Sequence, residues 1–376
     1  MNTYGNSQVL IIGSGVLAQE LATAYARLGF EPVVGSLNDA TRVRPALIVT
    51  ATDEFNLDEL RAVTEVTGAQ AVPTVEASEL TANRERTRTS ANDDLGLPTL
   101  EHEFVRDPAD LAGAAERIGY PCVVKPGRST AGEGQTRVDS PVQLEPAYRA
   151  ALHASPGEDV VVERFIELDS EVTILAARSV DPTTGQLSTW FCEPIGTRHE
   201  AGKLVEAWQP AQLSEAAMDN ARSIAARVCG ALGSCGVHSV KLFIDGDEVY
   251  FSQVTPRPCL DGMIASSTQR LNQFELHARA SLHLPIDATL TSPGAAQLVP
   301  PKAAEGTKAA GAERDAEPDT RLVALAAALS VEETGVQVLP STDQAPAGHL
   351  VLSATPPAEE HHRPGRDIRA PGGPSA

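Results

Sequence analysis

The chain has 376 residues, of which 30 are basic and 50 acidic, so its formal net charge at pH 7 is −20. This length exceeds what one hydrophobic core usually supports, and it predicts two or three domains. The excess of negative charge repels phosphate backbones and anionic lipid surfaces, so neither nucleic acid nor membrane is expected as a partner.

The cysteines and the apolar runs predict a reduced, cytoplasmic protein. The five cysteines are scattered and contain no C-x-x-C pair, which argues against a disulfide framework and against a zinc site. The first residues, MNTYGNSQVLIIGSG, contain no basic region and only a short apolar run. No later segment approaches the ~18 continuous apolar residues of a membrane span.

The first 80 residues alternate between strands and helices. Residues 8–35 predict a strand, a glycine turn, a helix and a second strand, and ALIVTA (46–51) and AQAVPT (69–74) flank a further helical segment. This alternation predicts a small parallel sheet in an N-terminal domain over residues 1–80.

GSGVLA, after the first strand, partly matches the dinucleotide-binding fingerprint. Gly13 and Gly15 occupy the first two glycine positions and Ala18 the third. The next strand ends at Gly35 and Ser36, where a ribose-binding acid is expected, and Asp39 comes too late. Both an NAD(P) site and a plain tight turn that opens a helix remain open, and the missing acid favours the turn.

Residues 81–286 predict an α+β domain of short strands interrupted by helices, with a hairpin in VKLFIDGDEVYFSQVTPRP (240–258). We expect a three-residue hairpin loop, Gly246 to Glu248, that sets Lys241 opposite Gln253. Residues 287–352 predict a shortened C-terminal domain with a flexible connector at 301–320, and residues 353–376 predict a disordered tail.

Two stretches of this central domain suggest nucleotide chemistry. In VVKPGRSTAGEGQ, Lys125 ends a strand and precedes a glycine-rich loop, so the lysine and the backbone N–H groups could contact phosphates. In VVVERFIELDSEVTI, Glu163 and Glu171 could accept hydrogen bonds from an adenine-side amine or a ribose. A surface hairpin and two exposed strand-end acids are the alternative interpretations.

Taken together and in this order, VVKPGRSTAGEGQ, VVVERFIELDSEVTIL, EAWQPAQLS and LFIDGDEVYFSQVTPRP resemble an ATP-grasp enzyme, specifically the formate-dependent phosphoribosylglycinamide formyltransferase family of purine synthesis. The resemblance covers roughly residues 10–286. It implies an α/β protein with a Rossmann-like N-terminal domain, a central ATP-grasp domain and a small C-terminal domain. It also implies that ATP phosphorylates formate and that the amine of glycinamide ribonucleotide attacks the resulting formyl phosphate.

The resemblance assigns roles to individual positions of this sequence. Arg257, held between two prolines, is the candidate for orienting the acyl phosphate. Asp261 and Arg321 are the candidate substrate residues. The positions that it assigns to ATP are Arg84, Lys125, Ser129, Gly132, Gly134, Gln135, Glu163, Ile166 and Glu171.

The metal positions depart from the family pattern. The family binds magnesium with one carboxylate on each strand of the hairpin, and the matching positions here are Lys241 and Gln253. An ammonium cannot ligate a hard cation, and an amide oxygen is a weak substitute for a carboxylate. Magnesium is therefore expected of the family, but no metal ligand is predicted at these two positions.

Several substrate positions also depart from the family pattern. Val16 replaces a glutamate, Leu260 replaces an aspartate beside Asp261, and Glu133 replaces the lysine of the lid. The family's acidic pair and its paired arginines are represented by Ala51 with Asp53 and by Thr320 with Arg321. Two hypotheses follow: an ATP-dependent formyltransferase, which the resemblance implies is a homodimer, or a catalytically degenerate paralogue with a regulatory or nucleotide-binding role.

Overall fold

The computed structural model describes residues 7–128, 134–157, 159–200, 203–299, 325–326, 328–330, 332–339 and 348–353. These residues form three β-sheets with helices packed on them. No helix within these ranges is long and apolar enough to cross a membrane. The predicted connector at 301–320, and the predicted tail apart from its first residue, lie outside the described residues.

The N-terminal sheet is parallel, with strand order β2-β1-β3-β4. Its central strands are buried on both faces, which explains their uninterrupted apolar sequences. Its elements are β1 (Gln8–Ile12), α1 (Gly15–Arg27), β2 (Glu31–Gly35), α2 (Ala40–Val43), β3 (Leu47–Thr50), α3 (Leu57–Thr67), β4 (Gln70–Val72) and α4 (Val75–Leu80). The predicted alternation of strands and helices is confirmed.

The turn between β1 and α1 is tight. Gly13 has φ +131°, and a Cβ at this position would lie 3.2 Å from the Cβ of Ala51. The carboxylate of Asp39 is not free to bind a ribose beyond the end of β2. It accepts hydrogen bonds from the backbone N–H and the hydroxyl of Ser36, and it forms an ion pair with Arg42. These contacts favour the tight-turn interpretation of GSGVLA.

A second, antiparallel sheet has the strand order β5-β8-β6-β7 and carries two helices on one face. It is preceded by α5 (Arg84–Thr89) and a π-helical turn at Ser90–Asp94. Its elements are β5 (His102–Val105), α6 (Leu111–Ile118), β6 (Cys122–Pro126), β7 (Thr136–Val138), α7 (Leu144–Ala154) and β8 (Val160–Arg164). Below, this layer is called the small sheet.

The largest sheet has nine strands in the order β14-β13-β9-β11-β12-β15-β17-β16, with β10 paired to β9. Helix α8 packs on one face, whereas α10 lies between the other face and α1. Its strands are β9 (Ser170–Val180), β10 (Leu187–Phe191), β11 (Ile195–Glu200), β12 (Lys203–Gln209), β13 (Gly236–Asp245), β14 (Glu248–Thr255), β15 (Gly294–Val299), β16 (Thr334–Leu339) and β17 (Gly348–Ser353). Its helices are α8 (Glu215–Leu232), α9 (Ala265–Thr268) and α10 (Gln273–Ser281). The C-terminal strands extend this sheet, and the predicted domain boundaries stay predictions.

The hairpin of β13 and β14 sets Lys241 opposite Gln253, as predicted. The predicted three-residue loop is wrong, because Asp245 pairs with Glu248 and leaves only Gly246 and Asp247 in the turn. Lys241 pairs with Gln253, but Leu242 pairs with Phe251, so β14 contains one extra residue, Ser252, in a β-bulge at this point. The bulge thus compensates for the shorter loop and restores the predicted pairing.

Candidate functional site

The small sheet and the nine-stranded sheet approach each other at a cleft that polar side chains cross. Lys125, near the end of β6, places its Nζ 5.8 Å from the ring centre of Phe243 in β13. Arg84, the first residue of α5, donates from Nε to the carbonyl of Pro126 at 3.0 Å and from a terminal nitrogen to Gln253 Oε1 at 3.3 Å. Both side chains therefore contact both layers.

Three cations gather around one carboxylate on the small-sheet side of the cleft. Glu163 is 2% exposed, forms an ion pair with Lys125, and accepts a 2.6 Å hydrogen bond from Arg88. Burial opposes its ionisation, but Lys125 and Arg88 lower the pKa of Glu163 from 4.5 to about 2. Burial and the charge of Arg88 lower the pKa of Arg84 to about 10. Three positive charges against one negative charge make this side of the cleft attractive to an anion.

The nine-stranded sheet contributes a second charged group, centred on Asp261. The Nζ of Lys241 lies 2.8 Å from Asp261 Oδ2, which also accepts a 3.1 Å hydrogen bond from the hydroxyl of Thr173. Burial opposes the charge on both partners, yet the attraction between them raises the pKa of Lys241 and lowers the pKa of Asp261. Lys241 is therefore a fixed, fully charged ammonium.

His199 of β11 connects Asp261 to Glu171 of β9. Its Nε2 lies 3.5 Å from Asp261 Oδ1, and its Nδ1 lies 3.0 Å from Glu171 Oε2 without the alignment of a hydrogen bond. Burial opposes protonation, but the hydrogen bond and charge of Asp261 and the contact with Glu171 raise the pKa of His199 above 6.5. Glu171 in turn has a lowered pKa, because His199 and Lys241 outweigh the cost of burying its carboxylate.

Arg257, in the Pro-Arg-Pro corner after β14, contacts the N-terminal domain. Its Nε and one terminal nitrogen bind both carboxylate oxygens of Asp53, at 3.1 and 2.5 Å, and its other terminal nitrogen donates to the carbonyl of Pro258 at 3.2 Å. The Arg257 side chain is 9% exposed, whereas that of Asp53 is 54% exposed. Asp53 is thus the partner that an incoming anion could displace.

The remaining predicted ATP residues form no hydrogen bond or ion pair with either charged group among the described residues. Gly134 and Gln135 lie just before β7. Gly134 has φ +73°, and no Cβ fits at this position because it would lie 2.6 Å from the Cβ of Ala154. Ile166 is half-buried just beyond β8. The predicted Ser129, Gly132 and Arg321 lie outside the described residues, as do Glu133 and Thr320.

Three residues of the two charged groups were missed by sequence reasoning. Arg88 lies four residues after Arg84, so a helical reading of TANRERTRT would have set both on one face. Thr173 lies two residues after Glu171 on β9, on the same face of the strand. His199 had no local signal, because only the pairing of β11 with β9 brings it to Glu171.

A magnesium ion does not fit the two hairpin positions. Lys241 offers a proton donor that is bound to Asp261, and the side-chain oxygen of Gln253 already accepts from Arg84. Hard divalent cations need several free oxygen ligands. Within the described part of the chain, no group of three or more His, Cys, Asp or Glu residues has the arrangement of a metal site.

Comparison with known proteins agrees with this architecture. The ATP-grasp domain family matches residues 90–274, which contain both charged groups apart from Arg84 and Arg88. The chain is an ATP-grasp protein. This match and the parallel N-terminal sheet together confirm the predicted α/β fold class.

Curated relatives narrow the assignment. Formate-dependent phosphoribosylglycinamide formyltransferases from Corynebacterium efficiens and Corynebacterium glutamicum are 41% and 40% identical, and the alignments cover 91% and 98% of this chain and 92% and 97% of the relatives. The chain belongs to the formate-dependent phosphoribosylglycinamide formyltransferase family, as predicted.

Solved structures support the same assignment. Glycinamide-RNase-transformylase T from Mycobacterium tuberculosis is 33% identical with a TM-score of 0.72, over 93% of this chain and 95% of that one. A carboxyaminoimidazole ribonucleotide synthase from Aspergillus clavatus, solved with ATP, has a TM-score of 0.79 over 95% of this chain and 96% of that one. At 20% identity, this second likeness shows the fold alone.

Proposed function

We propose that the chain binds ATP in the cleft between the small sheet and the nine-stranded sheet and catalyses formate-dependent formyl transfer to glycinamide ribonucleotide. The observation that carries this proposal is the cluster of Arg84, Arg88 and Lys125 around the single carboxylate of Glu163. A buried site with excess positive charge suits the polyphosphate of a nucleotide. Family membership supports the choice of formate and glycinamide ribonucleotide as co-substrates.

The proposed chemistry consists of two displacements. A formate oxygen attacks the γ-phosphorus and ADP leaves. The substrate amine then attacks the formyl carbon of the acyl phosphate, and phosphate leaves and takes up the proton that the amine loses. Lys125 and Arg84 hold the phosphates, and Glu171 faces the ribose. Arg257 orients the acyl phosphate once its guanidinium exchanges Asp53 for the new anion. Proximity and charge stabilisation carry such reactions.

The test is an assay of ADP release with formate and glycinamide ribonucleotide present together or omitted singly. Turnover that requires both substrates supports the proposal. Lys125→Met should abolish it, whereas Arg149→Gln, which removes an exposed charge on α7, should not affect it. ATP binding without turnover under any combination of substrates would reject the formyltransferase.

A second candidate function is favoured by the ion pair of Lys241 and Asp261. Lys241 occupies the position that the family resemblance assigns to a metal ligand, so the phosphates would lack the divalent cation that stabilises their charge during transfer. In that case the chain would be a regulatory ATP-binding protein. The same assay separates the two candidates, because only the formyltransferase releases ADP in a manner that depends on formate.

We propose a location and an oligomeric state for the protein. We place the chain in the cytoplasm, on the basis of its composition and its family. We also propose a homodimer, on family resemblance alone, and light scattering of the purified protein would test it. A monomer at micromolar concentration would contradict the proposed dimer.

A further inference from the structure

The two carboxylates beside the hairpin positions, Asp261 and Glu171, each contact a cationic or proton-donating side chain. Asp261 binds Lys241, Thr173 and His199. Glu171 is paired with the opposite ring nitrogen of His199. A divalent cation that entered here would have to displace an ammonium and an imidazole from their carboxylates.

The second hairpin position is also occupied. The Oε1 atom of Gln253 accepts a hydrogen bond from Arg84 at 3.3 Å, and Arg84 is tied to the small sheet through the carbonyl of Pro126. Gln253 therefore connects the two sheets. If it turned to face a metal ion, the guanidinium of Arg84 would lose this neutral acceptor, and two positive charges would lie close together.

The net charge of the cleft also differs from that of a metal-binding site, where negatively charged ligands are in excess. Lys125, Arg84, Arg88 and Lys241 contribute four positive charges, and Glu163 and Asp261 contribute two negative ones, which leaves two positive charges without any ion. When His199 is protonated, its charge cancels that of Glu171. The lysine and arginine side chains of the cleft therefore provide positive charge for a polyanionic ligand.

We infer that Lys241, fixed by Asp261, supplies the positive charge that a divalent cation would otherwise bring, so that the cleft binds the polyphosphate of a nucleotide without metal. This inference rests on the proposed nucleotide binding and deepens it. An ammonium offers up to three N–H donors to phosphate oxygens, and Lys241 spends one of them on Asp261. The ligand class is a free nucleoside triphosphate or diphosphate.

The test is calorimetric titration of the full chain with ATP, once in EDTA and once in excess MgCl₂. The inference predicts that the two dissociation constants agree within about threefold. Lys241→Gln should weaken binding in EDTA about tenfold or more, because a charge-assisted hydrogen bond is lost. The matched control Arg149→Gln removes an exposed charge from α7 and should bind like the wild type.

A gain-of-function variant provides an independent readout. Lys241→Glu combined with Gln253→Glu places two carboxylates opposite each other across the ladder. We expect this double variant with ADP to bind more Mn²⁺ than ADP alone does, as measured by electron paramagnetic resonance, whereas the wild type should add nothing to the Mn²⁺ that ADP binds in protein-free solution. Circular dichroism of each variant checks that it is folded.

The outcomes separate the inference from the proposed function. ATP binding that requires MgCl₂ would overturn metal-free binding but leave the proposed nucleotide site intact, and so would more Mn²⁺ bound by the wild type with ADP than by ADP alone. Unchanged binding of metal-free ATP by Lys241→Gln would also overturn the inference. If ATP fails to bind under either condition, the proposed nucleotide site itself is wrong.

Discussion

The ammonium of Lys241 lies 2.8 Å from the carboxylate of Asp261. Lys241 itself is the residue of β13 that pairs with Gln253 of β14. The side chain of Asp261 is 8% exposed and that of Lys241 25% exposed, so both charges lie mostly within the protein. Removing one partner of such a pair costs more than the pair itself contributes, because the other charge is left uncompensated. The stability of the cleft therefore depends on keeping both residues.

Asp261→Asn should lower the free energy of unfolding by about 2 to 4 kcal/mol, because Lys241 and His199 lose their shared counter-charge. Urea denaturation at neutral pH measures the change. Asp287→Asn is the matched control: it breaks the exposed pair with Arg270, which should cost less than about 1 kcal/mol. Equal losses in the two variants would contradict a buried, structural ion pair at Asp261.

Glu163→Gln should destabilise the protein by about 3 kcal/mol at neutral pH, since it leaves Lys125 and Arg88 without their carboxylate. The folded-state pKa of Glu163 is about 2, below its ordinary 4.5. Its contribution is therefore fully present above pH 4.5 and is lost as the pH falls through about 2. The difference in stability between wild type and variant should shrink with acid, and a difference that is constant with pH would count against this charge cluster.

His199→Gln should destabilise the protein more at about pH 6 than at about pH 8.5. The folded-state pKa of His199 is raised above 6.5, so its ion pairs contribute fully below that pH and are lost as the pH rises through the folded-state value. The measurement is the difference in melting temperature between variant and wild type at each pH. His238 and His277 have pKa values lowered by burial to about 4 and 3, but they are common to both proteins and cancel. The opposite pH trend would refute the assignment.

Gly196→Ala should cost about 1 to 3 kcal/mol through steric overlap in the nine-stranded sheet. Gly196 lies directly opposite Trp208, and a Cβ would lie 2.2 Å from the indole ring. Gly230→Ala in α8 is the control, because no atom lies within 4 Å of its added Cβ and alanine favours the helix. Thermal unfolding of both variants should show opposite shifts, and a neutral Gly196→Ala would mean that Trp208 moves aside freely.

The elements that could be predicted from the sequence are those whose signals lie within one short segment of the chain. The βαβ alternation of the N-terminal domain follows from apolar periodicity and glycine turns, and the hairpin follows from its acidic turn. Even there, the loop was one residue shorter than expected, and the pairing of Lys241 with Gln253 was right because a bulge restores the register. A bulge leaves no distinct mark in this stretch of sequence.

The candidate site was predicted less completely, because its geometry depends on pairings between distant segments. Lys125 and Glu163 lie 38 residues apart and meet only because β6 pairs with β8. The partnership of Lys241 with Asp261 requires the short helical turn at Asp261–Ile264, which buries Asp261 and leaves Leu260 at the surface. From the sequence, Asp261 was seen only as an acid one position beyond Leu260, where the family has its aspartate.

The strand order of the nine-stranded sheet also constrains how the chain folds as it leaves the ribosome. The small sheet is complete once residue 164 has emerged, whereas β9 must wait for β13, whose first residue is Gly236, before both of its long edges are paired. Lys125 and Glu163, in the cationic half of the cleft, are thus synthesised before Lys241 and Asp261, and strands β15, β16 and β17 of the same large sheet follow later still.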